Sequence, residues 1–547
     1  MNRRELLTAF LGMPFASLGC HSKSRSLPVQ GEIVGASVTA AHRLRTGFRP
    51  RPSSDAWRDV DVVIVGGGPS GLAAGRRLRQ LKVDDFVLLE LEPELGGTSR
   101  GGSSALVSYP WGAHYLPVPM KSNRDLIDLL DEMLVLEGTT VTGDPIVAEQ
   151  FLCRAPQERL FINGKWHEGL VPEDGASPAD LAEFAAFERE VDQWVAWRDG
   201  KGRRAFTLPV AECSRDAEVM SLDKLTMSEW LTEHGWTSKQ LRWFVDYACR
   251  DDYGLTVDQT SAWAGLFYFA ARVAESGSES QPFITWPEGN ARLVQHLAET
   301  LDDRTLNGWL VTEVTPLAAT ADEVDGRLEI VAYREQGGAS EVRGWRAKKV
   351  ILATHPFLNP HLLTGYREGG SQAWQELQFG SWLVANLHLA NRPQTPRDQF
   401  PLSWDNVFYD SPSLGYVAAT HQRGLDYGPT VLTYYYPLCD DDPRVARERL
   451  LGLDWAACAE IALSDIERAH PQIRSLTTRL DVMRWGHAMV RPRPGLQSSE
   501  QRLQAQVPWR GVHFAHSSLS GVPLFEEAFA NGQRAAYEVG RALGRIV

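Results

Sequence analysis

Val60 to Val65 (VDVVIV) is a β-branched run interrupted only by Asp61, the kind of strand that a parallel sheet buries on both faces. It runs straight into GGGPSGLAAGRRL, where Gly66, Gly68 and Gly71 fill G-x-G-x-x-G. The first glycine permits a tight turn and the second lets a pyrophosphate approach the backbone. The third lets helix and strand pack closely, so that the helix N-terminus faces phosphate. A second apolar strand, Phe86 to Leu89, ends in Glu90, about twenty residues past the last motif glycine. An acid there accepts hydrogen bonds from an adenosine ribose and disfavours a 2'-phosphate, which argues against NADP. Strand, glycines, helix, strand and terminal acid come in the order that a dinucleotide-binding α/β unit requires.

The rest of the chain sets limits around that unit. Its 547 residues allow roughly two to four domains at about 150 residues each. An apolar share of 43% excludes both a disordered chain and a multi-span membrane protein. With 56 Lys+Arg against 69 Asp+Glu the net charge is -13, the wrong sign for a partner made of phosphate backbone, so no nucleic acid is expected. The 18 Trp and 20 Phe serve packing, or a pocket for an unsaturated or cationic ligand. The six cysteines are scattered, with no C-x-x-C, and give no support to a metal site; a Cys439 to Cys458 disulfide stays open.

The N-terminus reads as an address. Residues 1–20 (MNRRELLTAFLGMPFASLGC) put Arg3 and Arg4 ahead of a short apolar stretch broken by Pro14. This resembles the twin-arginine signal of bacteria, which carries folded, cofactor-loaded cargo and implies a periplasmic or exported protein. Ser17-Leu18-Gly19-Cys20 is similar to a lipobox, with Ser17 where Leu is usual, which leaves open membrane attachment through a lipid on Cys20. Residues 21–58 are rich in Ser, Arg and Pro and read as a tether or as an arm laid on the body.

Six and seven residues after Glu90 stand Gly96 and Gly97, in LLELEPELGGTSRGG. This spacing resembles the flavin amine oxidase, phytoene desaturase and protoporphyrinogen oxidase superfamily, in which the glycine pair runs along the flavin's phosphate and ribityl. GVHFAHSSLSGVPLFEEAFANGQRAA, from Gly511 to Ala536, is similar to the closing segment of that superfamily, a strand, a turn and a helix aimed at the flavin pyrimidine. Trp286 to Leu301 looks like the helix before the second adenosine-contacting strand, Trp309 to Val314, with Val314 at the adenine, and Lys349 to Thr354 like the returning strand. The resemblance implies FAD as cofactor. It also implies an α/β fold: a Rossmann-type FAD-binding domain, discontinuous over 59–117, 285–357 and 505–547, and an α+β substrate-binding domain from 118–284 and 361–504. In the latter, Leu126 to Leu136 and the run Leu241, Phe244, Val245, Ala248 predict helices, while Trp382 to Leu389 and Val431 to Tyr436 predict strands.

Against the superfamily pattern, Asn386 falls where many amine oxidases have a lysine holding a water at the flavin, and Phe514-Ala515-His516-Ser517-Ser518 lacks the acid that usually binds the ribityl. Ser517 and Ser518 are left to donate there, and His516 lies beside the pyrophosphate or is a satisfied buried histidine. His114, in YPWGAHYLP, is a candidate general base, or else a core histidine donating to a carbonyl. Trp485 is the candidate pocket aromatic, with core packing as the alternative. Asp251 and Asp252, adjacent on a helix, are expected to cap and pair with Arg250 rather than share a proton. The function expected is an FAD oxidoreductase that takes a hydride from an amine or other small-molecule substrate and passes electrons to oxygen, a quinone or a carrier protein. An isoprenoid or porphyrinogen desaturase and a non-catalytic flavin-binding assembly protein are the alternatives.

Overall fold

The opening strand, Trp57–Val65, pairs in parallel with Phe86–Glu90 on one side and with Ala339–Leu352 on the other. Its side chains therefore enter two different cores: Val62 and Ile64 one, Val63 and Val65 the other. In this computed structural model, which describes residues 29–317, 326–439 and 442–546, that strand lies in the interior of a seven-stranded sheet. The order is Thr305–Asn307, Phe86–Glu90, Trp57–Val65, Ala339–Leu352, Leu328–Gln336, Leu310–Pro316, with Val512–Phe514 added in parallel to the end of Ala339–Leu352. Chain segments far apart in sequence thus complete one sheet. Helix Pro69–Gln80 and the closing helix Phe525–Ala542 cover the first core. They approach so closely at Gly532 that a side chain there would lie 2.2 Å from the Ser70 carbonyl oxygen.

An eight-stranded mixed sheet forms the second body. Its order is Ile33–Gly35, Thr477–Val490, Phe379–Leu389, Thr430–Pro437, Gly415–Ala418, Asp405–Phe408, Glu158–Ile162, Lys165–Glu168. Helices Pro443–Gly452 and Trp455–Glu467 pack on one face, burying Ala446, Leu450, Ala459 and Leu463 against Leu383, Ala385 and Leu387. A helical layer that includes Lys239–Tyr253 and Ala262–Ala270 builds a separate core, the second helix being apolar nearly all round.

Both strands expected in this body occur, each slightly longer. The helix expected over Leu126 to Leu136 is Arg124–Glu132; it stops early because Leu134 takes a φ of +56° and Leu136 already starts a strand. The arm from residue 29 is no free tether. Ile33–Gly35 adds an edge strand to the second sheet, while Arg43 pairs with Glu335 and Arg51 with Glu313 on the first body. Arg3, Arg4 and Cys20 lie outside the described residues. Cys439 and Cys458 are both buried and are not joined in a disulfide. Among the described residues no helix is long and apolar enough to cross a membrane, and no His, Cys, Asp and Glu group could hold a metal.

Candidate functional site

The glycine turn builds an open cradle. Gly66 has a φ of +104°, and a side chain there would meet the Ala353 carbonyl oxygen at 2.8 Å. Gly67 N–H donates to Glu90 Oε2 at 2.5 Å and Glu92 N–H to Oε1 at 2.8 Å. Burial pushes the Glu90 carboxyl up while these two amides pull it back. The helix opens at Gly68 and Pro69, with no protein side chain capping its free N–H groups. Those donors and the positive end of the helix dipole suit a pyrophosphate. A cavity of about 930 Å³ begins here, and Gly66, Gly68, Ser70, Glu90, Gly97 and Val311 belong to its wall. A bare N-terminus, a glycine whose missing side chain leaves cavity, and a carboxylate on the same wall fit an ADP-containing cofactor.

Of the expected cofactor residues, Gly66, Gly68, Glu90, Gly97 and Ser517 line this cavity, as does Trp485. Trp485 Nε1 donates to the Trp111 carbonyl at 2.6 Å, and Arg100 lies over the ring at 5.5 Å. The others stand behind the wall. Gly71 serves packing, since a side chain there would sit 1.9 Å from the Gly66 oxygen. Gly96, at φ +119°, ties the two glycine loops together through its N–H to the Gly67 carbonyl, 2.8 Å. Val314, expected at the adenine, is fully buried in the sheet; Val311 lines the cavity instead, and the pairing register shifts between Val311 and Glu313. Ser518 is spent on His516, whose Nδ1 accepts the Ser518 N–H at 3.1 Å and lies 2.8 Å from its Oγ. That bond puts the ring proton on Nε2 of His516, a cavity-lining residue.

Asn386 requires a correction. It is fully buried, donates to the Pro110 carbonyl at 3.1 Å, accepts from Thr433 Oγ1 at 2.7 Å and does not reach the cavity. Its place in the strand turns it to a backbone tie. His114 meets the second of its two readings, a buried histidine bonded to a backbone carbonyl: it bonds to the Gly112 carbonyl, and burial holds its imidazole down to about 4. Its ring is part of an aromatic box, stacked on Tyr435 at 4.8 Å with Trp404 at 5.4 Å and Tyr115 at 5.2 Å. The Tyr435 hydroxyl donates to the Gly112 carbonyl at 2.9 Å, and Ala113 between them lies on the cavity wall.

Beyond the box is a group of carboxylates that the sequence does not announce. Asp405 and Glu158 sit side by side in register on parallel strands. The Tyr247 hydroxyl reaches Asp405 at 3.3 Å, and the Tyr115 hydroxyl reaches Asp251 and Asp252 at 3.4 Å each. Arg272 pairs with Asp252 at 2.7 Å, both side chains being nearly inaccessible. Arg250, the expected partner of Asp251 and Asp252, goes to Asp246 at 2.8 Å and to the carbonyls of Ser411 and Ser413. Asp251, Asp405 and Glu158 thus have no ion pair among the described residues. Burial, and for Asp251 also the Asp252 charge, pushes Asp251 and Glu158 up to about 7, while burial, then the Glu158 charge, holds Asp405 well above the usual carboxylate range. All three keep some accessible surface, as do His114, Tyr115 and Tyr268.

Such carboxyls make stability pH-dependent with a definite sign. Unfolded, Asp and Glu titrate near about 4. Raised folded values mean that the contribution of Asp251 and Glu158 is fully present below about pH 4 and is lost as pH rises through about 7. Asp251→Asn should therefore raise the thermal midpoint at about pH 8, by roughly 1–3 kcal/mol of stability, and change it little at about pH 4. A variant no more stable than the native chain at the higher pH would refute the assignment.

The comparisons agree with this architecture. Residues 64–133 match the family described as "NAD(P)-binding Rossmann-like domain". No curated protein matches the chain in sequence. Among solved structures, putrescine oxidase is similar with a TM-score of 0.63 at 17% identity, over 88% of this chain and 99% of that one. Cyclohexylamine oxidase from Brevibacterium oxydans IH-35A gives 0.61 at 16%, over 89% and 100%. A CLA-producing fatty acid isomerase from P. acnes gives 0.59 at 16%, over 88% and 98%. The chain is thus a dinucleotide-fold α/β protein carrying a second, mixed-sheet body, an architecture shared over nearly the whole length of these enzymes.

Proposed function

We propose that the protein is an FAD-dependent oxidoreductase acting on a cationic amine. The observation that carries the amine reading is the group of carboxylates without ion pairs, Asp251, Asp405 and Glu158, beside the aromatic box of His114, Tyr115, Trp404 and Tyr435. Buried acids without counter-ions are destabilising, and a bound ammonium group both neutralises them and stacks on aromatic faces. The putrescine and cyclohexylamine oxidases share the fold and act, by name, on amines. FAD, when bound, would supply the hydride acceptor. Gly68, Gly97 and Glu90 would hold its ADP part and Ser517 its ribityl chain. His516 would donate from Nε2, and the carboxylates would orient the substrate ammonium.

The experiment is anaerobic addition of putrescine, cyclohexylamine and a neutral alcohol to purified protein. The amines should bleach the flavin and the alcohol should not. Glu158→Gln and Asp251→Asn should raise KM for putrescine by about 10–100-fold, the worth of a charge-assisted contact. Flavin that no amine reduces would overturn the amine reading and leave the alternatives of the desaturase type.

Export by the twin-arginine route is a second part of the proposal, since a flavoprotein must fold around its cofactor before crossing. Arg3→Lys with Arg4→Lys should strand the protein in the cytoplasm, as fractionation would read, and unchanged export would refute it. Cys20→Ala should shift the protein from the membrane to the soluble fraction if that thiol carries lipid.

A further inference from the structure

Part of the wall of the cofactor cavity is strongly cationic. It carries the guanidiniums of Arg45, Arg444, Arg447 and Arg484; the neighbouring imidazoles of His355 and His487, held down to about 4 and about 2 chiefly by burial, add no charge. Three carboxylates share the cavity, and each has partners of its own, Arg444 of the cationic wall being that of Asp442. Glu90 holds the turn amides, and Glu92 accepts from Ser37 N–H and Oγ at 2.8 and 3.0 Å and from Arg100 at 3.4 Å. Asp442 caps its own helix through Arg444 N–H at 2.8 Å and pairs with the Arg444 side chain. Arg447 and Arg484 are only partly exposed, and with Arg45 they have no carboxylate partner among the described residues. Arg447 donates to the Gly486 and Phe379 carbonyls at 2.7 and 3.3 Å. Arg484 Nη1 donates to the carbonyls of Leu451 and Leu453 at 2.8 Å each, and its Nε is buried without an acceptor.

Arg45, Arg447 and Arg484 line the same cavity, and Arg45 and Arg447 both act on His487. Burial comes first in depressing the His487 imidazole to about 2, followed by Arg447, His355, Arg45 and His42. Half-buried cations without a counter-ion, as Arg447 and Arg484 are, carry a desolvation cost that a bound anion offsets. The pyrophosphate of an ADP-containing cofactor has its own site at Gly68, on the helix N-terminus.

We infer that Arg45, Arg447 and Arg484 form an anion site within the cavity that takes the carboxylate or phosphate of a second, small ligand. The arm contributes Arg45 to it and is tied to the cavity wall by the Ser37 contacts with Glu92. The inference rests on the cradle holding the cofactor.

The test uses the holoenzyme titrated by calorimetry with inorganic phosphate and, separately, with benzoate. Saturable binding of one of them is expected, and which one binds assigns the group. Arg447→Met should weaken it about 10–100-fold with FAD content unchanged. Arg45→Met, at an exposed position where folding is not at stake, should weaken it in the same direction. No saturable binding of either anion, binding unaltered by both variants, or loss of FAD from both variants would overturn the inference, the last because the cations would then serve the cofactor. If the native protein carries no FAD, the cofactor reading fails by itself, and the same titration on that protein still decides whether the anion site exists.

Discussion

Gly68→Val should give a folded, colourless protein. A side chain at this position meets nothing of the protein closer than the Gly97 Cα at 3.9 Å, and the backbone there, φ -76° and ψ -179°, is open to any residue. The added atoms therefore enter the cavity. They would keep a pyrophosphate from the amides at the helix start, and one or two lost charge-assisted hydrogen bonds amount to roughly 3–5 kcal/mol, or two to four orders of magnitude in cofactor affinity. Gly71→Val is the contrasting case. Its side chain would sit 1.9 Å from the Gly66 carbonyl oxygen, so expression and thermal midpoint should fall along with colour. Circular dichroism and flavin absorbance on both variants separate the effects. Normal flavin in Gly68→Val would remove the pyrophosphate from this turn.

The second large effect is expected at Arg272, the cation paired with Asp252 inside the helical layer. Its guanidinium bonds both Asp252 oxygens, at 2.9 and 2.7 Å, and lies 4.9 Å from the Tyr268 ring centre. Arg272→Met leaves Asp251 and Asp252 adjacent and buried with no cation. Breaking a buried pair by removing one partner costs about 3–5 kcal/mol. Because both carboxyls already sit above the ordinary aspartate range, the loss should be largest at about pH 8 and smaller at about pH 5, where they take up protons. Urea unfolding at the two pH values checks this. An equal loss at both would assign the cost to packing alone.

How much of this was legible in the chain follows from the range of each interaction. The turn at Gly66, Gly68 and Gly71 and its acid Glu90 are local chemistry, set by backbone geometry within one strand-turn-helix-strand unit, and they can be read directly. Val314 shows where such reading ends, because the register irregularity between Val311 and Glu313 decides which residue reaches the cavity and leaves no mark in the strand's composition. Asn386 fails for a related reason. Its face in the strand depends on pairing with Thr433 and Asp481, partners supplied by distant segments. The acidic group was hidden more deeply. Asp251 and Asp252 have a nearby arginine that suggests a local pair, but Arg250 turns to Asp246, and the actual cation comes from the end of the next helix. Glu158 and Asp405 meet only because two strands 247 positions apart lie in parallel register. The arm's cations likewise need the tertiary fold to bring them over the cavity.

The cradle at Gly68 and Glu90 is proposed to hold FAD. Heat release of the cofactor from the purified native protein, with chromatography against FAD and NAD standards, identifies what it holds. About one FAD per chain is expected. NAD in its place, or no dinucleotide retained even after incubation with added FAD, would contradict it.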